Sequence, residues 1–265
     1  PRAVFADWLV SPRNPWFARN IVNRIWFWLQ GRGIIHEPDD LREDNPPANK
    51  ALLEHLEREL VGRKWDLKHV FRIILNSRAY QLSSIPSVRH PQGEANFAWY
   101  PLRRLDAEVL IDAICQATGT TESYLSAIPE PFTFIPRGNR TLLLPDGSIT
   151  SSFLELFGRP NRDTGLDAER NNRTTAAQRL HLLNSSHIQE KIEQGPLIEG
   201  LLRRHRRAPR LALDELFLTI LSRPPTPAEL ALLQEVARQT GTTGRTALID
   251  LAWALINSPE FLFKH

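Results

Sequence analysis

The sequence predicts a mainly α protein, a single multi-helix domain over residues 1–265 with a small β-hairpin or extended excursion near 130–150. Three observations predict it. Apolar residues recur at helical spacing along most of the chain, as in Leu67, Val70, Phe71, Ile74 and Leu75. Helix punctuation flanks these runs, most completely at Thr226-Pro227-Ala228-Glu229, which has the spacing of a capping box with Pro in the first turn. β-prone pieces are confined to FTFI and RTLLL, between residues 128 and 149.

In chain order, residues 3–10 and 15–30 read as helices, the second with Asn14 as N-cap and Pro15 at the first helical position. Val22, Ile25, Trp26 and Leu29 make one apolar stripe of that second helix. Arg19, Asn20, Asn23 and Arg24 make another stripe, set between Trp16, Phe17, Phe27 and Trp28. An exposed stripe would more usually be Glu and Lys, so Asn20, Asn23 and Arg24 are expected to be largely buried and hydrogen-bonded. Gly31 and Gly33 stop the helix. Asn49 caps a helix carrying Leu52, Leu53, Leu56 and Leu60 on one face, and Asp66 caps the next. Residues 83–101 read as a connection, and a helix over about 102–117 turns Leu110, Ile111 and Ile114 inward before Gly119.

Helices return near 174–183, 197–205, 213–221, 227–239 and 245–256, which divides the domain into an N-terminal helical half (1–118), an irregular middle (119–173) and a C-terminal helical half (174–265). Asn76-Ser77, Asn184-Ser185 and Asn257-Ser258 end three amphipathic runs in the same way. A left-handed Asn followed by a capping Ser is the expected device, returning Tyr80, Ile188 and Phe261 to the core.

The 33 basic residues face 30 acidic ones, a formal charge of +3 with pI about 9.3, and only Arg203 to Arg210 forms an unopposed basic block. Specific nucleic-acid binding is therefore not expected. The single cysteine, Cys115, lies among apolar neighbours and allows neither an internal disulfide nor a cysteine metal cage. No apolar run approaches eighteen residues, so no membrane span is expected. No phosphate-binding loop, dinucleotide fingerprint, nucleophile elbow or HExxH helix is present, and neither a cofactor nor a metal is expected. The absence of methionine and the opening inside a helical pattern fit a piece of a longer protein.

The stretch 153–184 carries the candidate site. After Phe153, Leu154, Leu156 and Phe157, about fifteen residues have almost no aliphatic content; Arg159, Arg162, Arg170 and Arg173 alternate there with Asp163, Asp167 and Glu169. An arginine held by a carboxylate on one side keeps donors for a ligand on the other. Arg159, Arg162, Arg170 and Asn171 are thus the expected ligand-binding groups, with Asp163 and Glu169 orienting the guanidiniums, for an anionic or carbohydrate ligand. The competing reading is that these pairs staple the two helical halves together. Acid–base candidates are Asp163, Asp167, Glu169 and His36, the last grouped with Asp39 and Asp40 in HEPDD. Two classes of function follow, a binding or scaffolding module and a hydrolase acting on carbohydrate or ester.

The ordered series NPWFARNIVNRIWFWLQGRGI, PDDLREDNPP, LLEHLERELV, WDLKHVFRIILNSRAYQLSS, RRLDAEVLIDAI, FGRPNRD, AAQRLHLLNS, SRPPTPAEL and WALINSPEFLFKH resembles a planctomycete-type domain of unknown function (DUF1553, PSD-type) over essentially the whole chain. The resemblance implies the C-terminal end of a large exported bacterial protein, in the periplasm or outside the cell, with a cytochrome c-like module often upstream as a partner domain. It also implies association with surface or polysaccharide-utilising systems, and it assigns no catalytic residue. Where relatives often place cysteines after FGRP, this chain has Asp163-Thr164-Gly165-Leu166-Asp167-Ala168-Glu169, so thiol chemistry proposed there does not transfer.

Overall fold

The computed structural model describes residues 1–265 apart from 12, 127–133, 137, 145–148, 161–168, 172 and 265. The chain is mainly α, and its described residues gather into two compact units, residues 1–103 and residues within 104–264.

The first unit begins with α1 (Arg2–Leu9), which buries none of its residues. The carboxamide oxygen of Asn14 accepts from the N–H groups of Trp16 (2.9 Å) and Phe17 (3.4 Å), so Asn14 closes the entering turn and α2 (Phe17–Gln30) starts two residues later than the cap rule predicts. Helices α3 (Lys50–Gly62) and α4 (Leu67–Leu75) open on the expected caps: Asn49 accepts from Leu52 and Asp66 from His69. These three helices pack on one another around Val22, Ile25, Trp26, Leu53, Leu56, Leu60, Val70 and Ile74, all nearly inaccessible. Each such side chain contributes about 1.5–3 kcal/mol of transfer free energy.

The Asn/Arg stripe of α2 turns inward in part. Asn23 is fully buried, Arg24 meets Asp39 at 2.5 Å, Arg19 meets Glu57 at 2.7 Å, and Asn20 is half-buried.

The two-residue strand β1 (Arg103–Arg104) pairs with β2 (Phe263–Lys264), and the Leu105 N–H donates to the Leu262 carbonyl at 2.9 Å within the second unit. Its central helix is α5 (Ala107–Thr118), whose apolar face packs on α6 (Ser152–Leu156), α8 (Ser186–Gln194) and α9 (Pro196–Arg204). Between them, α7 (Ala176–Asn184) leads into α8, while α10 (Pro209–Leu221), α11 (Pro227–Thr240), α12 (Gly244–Ile256) and α13 (Pro259–Leu262) complete the unit. The capping box expected at Thr226 and Glu229 is formed.

Among the described residues of 130–150 there is no strand. Thr141–Leu143, read from RTLLL as β-prone, instead makes a 3-10 turn. The reason is Asp112 on α5, whose buried carboxylate accepts from the N–H groups of Thr141 (2.8 Å) and Leu142 (3.2 Å).

The recurring Asn-Ser device forms by different chemistry from that expected. Asn76 and Asn257 stay right-handed, at φ −86° each, and donate their side-chain amides to the carbonyls four residues back, Arg72 and Trp253, both at 2.9 Å. The serines then accept from Tyr80 and Phe261, and Ser185 from Ile188. The Arg72 and Trp253 carbonyls also accept the backbone N–H groups of Asn76 and Asn257, both at 3.1 Å, so each asparagine continues the helix pattern by backbone and side chain together and no left-handed residue is needed.

Candidate functional site

Glu108 stands in the first turn of α5, on the same helical face as Ile111, Asp112 and Cys115, and is buried. A lone buried carboxylate is costly, so its partners define the local structure. Arg170 supplies a two-bond fork, Nη1 to Oε2 at 2.9 Å and Nη2 to Oε1 at 2.8 Å. Arg159, its side chain 9% exposed, brings Nε to 3.3 Å from Oε1 and donates Nη1 to the Ile149 carbonyl at 2.6 Å. Burial pushes the Glu108 carboxyl up, but the hydrogen bonds from Arg170 and from its own backbone N–H, with the charges of Arg170 and Arg159, outweigh it and hold the group below the usual range.

Gly158 brings both arginines to one carboxylate. At φ 93° it lies where a side chain is strained, its carbonyl accepts from the Asn171 N–H at 3.1 Å, and a Cβ would stand 2.0 Å from the Asn171 carbonyl oxygen. The chain that leaves past Arg159 and the chain that returns through Arg170 and Asn171 therefore run in backbone contact. Beside them lies a polar cavity of about 180 Å³ walled by Glu108, Arg159, Arg170, Thr141, Leu142, Leu144 and Pro160. Thr141 is fixed from below by the Tyr124 hydroxyl at 2.7 Å, and the Tyr124 phenol, pushed up to about 12 by burial first of all, stays neutral.

Of the residues singled out from the sequence, Arg159 and Arg170 meet at this cavity. Asn171 is exposed and accepts the Arg173 N–H on its side-chain oxygen at 3.2 Å, which shapes the loop. Glu169 is exposed next to Arg170 in sequence. Arg162, Asp163 and Asp167 lie outside the described residues. His36 belongs to the first unit, where its Nε2 lies 3.3 Å from Glu37 and burial pushes its pKa down. Of the other carboxylates in HEPDD, Asp39 is paired with Arg24 and Asp40 with the Arg42 fork at 2.6 and 2.9 Å. Among the described residues no group of three His, Cys, Asp or Glu side chains could hold a metal ion. In the basic block, Arg204 pairs with Glu215 and Arg210 with Asp214.

Sequence reasoning missed Glu108 and Gly158. The signal for Glu108 was present: two acids, Glu108 and Asp112, share a helix face with Ile111 and Cys115 at i, i+3, i+4 and i+7 spacing, and acids on such a face have to find buried partners.

Fold and site together define a mainly helical module organised around a buried arginine–carboxylate network, and among the described residues no helix is long and apolar enough to cross a membrane. The chain belongs to the PSD1 family, protein of unknown function (DUF1553), whose family model matches residues 1–237. No curated protein and no solved structure matches it.

Proposed function

We propose that the chain is a non-catalytic binding and scaffolding module of a larger exported bacterial protein, tied to cell-surface or polysaccharide-utilising systems, and that its ligand is an anionic carbohydrate held at the cavity beside Glu108. The observation that carries this reading is the composition of the cavity wall, two guanidiniums and one carboxylate around about 180 Å³. Arginines pre-set by a carboxylate recognise sulfate, uronate or sugar hydroxyls at low ordering cost. The hydrolase reading would need a carboxylic acid poised to give up a proton. Glu108 is held ionised with both oxygens engaged, and Glu59, Glu122, Glu215 and Glu229 are likewise held below the usual range.

The test is calorimetric titration of the parent chain and of Arg170→Ala with sulfated and uronate oligosaccharides. Binding by the parent that weakens tenfold or more in the variant, measured at a temperature where circular dichroism shows the variant still folded, supports the proposal. A parent that binds none of these glycans, or a variant that binds as well as the parent, overturns it.

A further inference from the structure

A second cavity in the 104–264 unit has a different character. It measures about 280 Å³, and beside the two cations Arg104 and Arg179 it is walled chiefly by apolar groups, including Phe157, Leu182, Leu183, Leu262 and Phe263. Arg104 is only 7% exposed. Its Nη2 donates to the Phe157 carbonyl at 2.6 Å, and its guanidinium lies over the Phe157 ring, 5.2 Å from the centroid. Its Nε and Nη1 are buried and have no hydrogen-bond partner.

The two amides at the same cavity do not answer this need, because neither side-chain oxygen accepts from Nε or Nη1. Gln178 accepts from the Thr175 N–H at 3.0 Å and donates to the Leu156 carbonyl at 2.8 Å, and Asn257 donates to the Trp253 and Leu182 carbonyls. Burial pushes the Arg104 pKa down while the nearby charge of Asp106 opposes the shift, yet no Asp106 oxygen bonds to Nε or Nη1. Buried N–H groups of a guanidinium without an acceptor cost more than most single contacts provide, and two of them on one cavity-lining side chain call for an acceptor from outside the chain. A cavity of about 150 Å³ holds benzene, so 280 Å³ has room for a ring and a short chain.

We infer that this cavity is a binding site for a small carboxylate with an apolar body, an aryl-alkanoate in size, whose carboxylate oxygens accept from Arg104 Nε and Nη1 while the body lies against Leu182, Leu183 and Leu262. The apolar wall selects a monoanion of this kind over phosphate or sulfate, whose larger hydration would be lost against the leucines. The site is distinct from the cavity beside Glu108 and does not depend on the reading given to that cavity.

The experiment titrates the full chain with 3-phenylpropanoate and with its neutral analogue 3-phenylpropanol. The carboxylate should bind tenfold or more tightly than the alcohol. Arg104→Gln should remove that preference. Because losing the Phe157 bond could unfold this variant, Leu183→Trp serves as a second probe: Leu183 is 42% exposed at the rim, so the larger side chain fills the cavity from outside and should abolish binding with little change in melting temperature. No binding of the carboxylate, equal binding of acid and alcohol, or undiminished binding in Leu183→Trp would overturn the inference.

Discussion

Asn23 and Ile35 are bonded reciprocally: the Asn23 side-chain oxygen accepts the Ile35 N–H at 2.9 Å, and its amide donates to the Ile35 carbonyl at 3.0 Å. One side chain on α2 thus pairs with the backbone as a neighbouring strand would, and a third bond to the Pro38 carbonyl at 2.9 Å extends the grip along the loop after the helix. Gly33 makes room for it, since a Cβ there would stand 2.1 Å from the Ile35 carbonyl oxygen and 3.2 Å from the Asn23 amide nitrogen. Asn23→Ala leaves two carbonyls and one N–H buried without partners and should cost about 1–3 kcal/mol. Urea denaturation followed by circular dichroism measures it, and a midpoint equal to that of the parent would refute the role given to Asn23.

Gly158→Ala tests how the second unit brings Arg159 and Arg170 together. The new Cβ would have to occupy a left-handed backbone and press on the Asn171 carbonyl, so one of the two chain segments must move. A loss of about 1–3 kcal/mol is expected from the strain alone. The variant should melt early, and the backbone amide of Asn171, bonded to the Gly158 carbonyl in the parent, should exchange faster with deuterium. Unchanged exchange at Asn171 would count against this account.

Glu108 and Glu122 set an acid limb of stability. Glu122 accepts from His187 at 2.7 Å and meets Lys191 at 2.8 Å; burial pushes its carboxyl up, but these partners more than reverse the shift, as at Glu108. A carboxylate whose folded pKa lies below its unfolded value contributes stability that is present above the unfolded value and is lost as pH falls through the folded one. Stability should therefore be level near neutrality and decline from about pH 4.5 downward. Glu108→Gln should lose on the order of 3 kcal/mol at pH 7, because two guanidiniums keep their burial and lose their counter-charge. The gap between parent and variant should close as pH falls. A gap that stays constant down to pH 2 would show that the charge of Glu108 is not what stabilises the unit.

The helical frame was legible because its signals are local. The period of Leu52, Leu53, Leu56 and Leu60, and the caps Asn49, Asp66 and Thr226, each involve residues within a turn or two of one another. Helix α8 was not read as a helix, since SHIQEKIEQ buries only Ile188, Ile192 and the stem of Lys191, and that lysine is buried because Glu122 waits for it nearly seventy residues earlier. The candidate site was half legible for the same reason. The arginine-rich run marked Arg159 and Arg170, but the carboxylate that holds them lies on α5, fifty-one and sixty-two positions away, and nothing local to the run points to it. The left-handed expectation for Asn76 and Asn257 failed because both keep the right-handed i to i−4 backbone bond, to Arg72 and Trp253, and add a side-chain bond to the same carbonyl.

Arg223 closes the start of α11 onto the start of α13. Its guanidinium forks onto Glu229, at 2.9 and 2.8 Å, and onto Glu260, at 2.6 Å on both nitrogens, while lying 5.8 Å from the centre of the Phe217 ring. Glu229 also completes the capping box by accepting the Thr226 N–H at 2.7 Å, so one carboxylate serves both the helix start and the clamp. Arg223, first of all, holds Glu229 down to about 2. Lysine carries the same charge but cannot present two planar forks, and Arg223→Lys should keep attraction and lose geometry. Because about a third of each of these side chains meets solvent, the loss should be modest and salt-dependent. Melting temperatures of parent and Arg223→Lys should differ at low ionic strength and converge near about 1 M salt, where exposed charges are screened within about 3 Å. A difference that persists undiminished at high salt would mean that packing against Phe217, rather than the two carboxylates, is what Arg223 contributes.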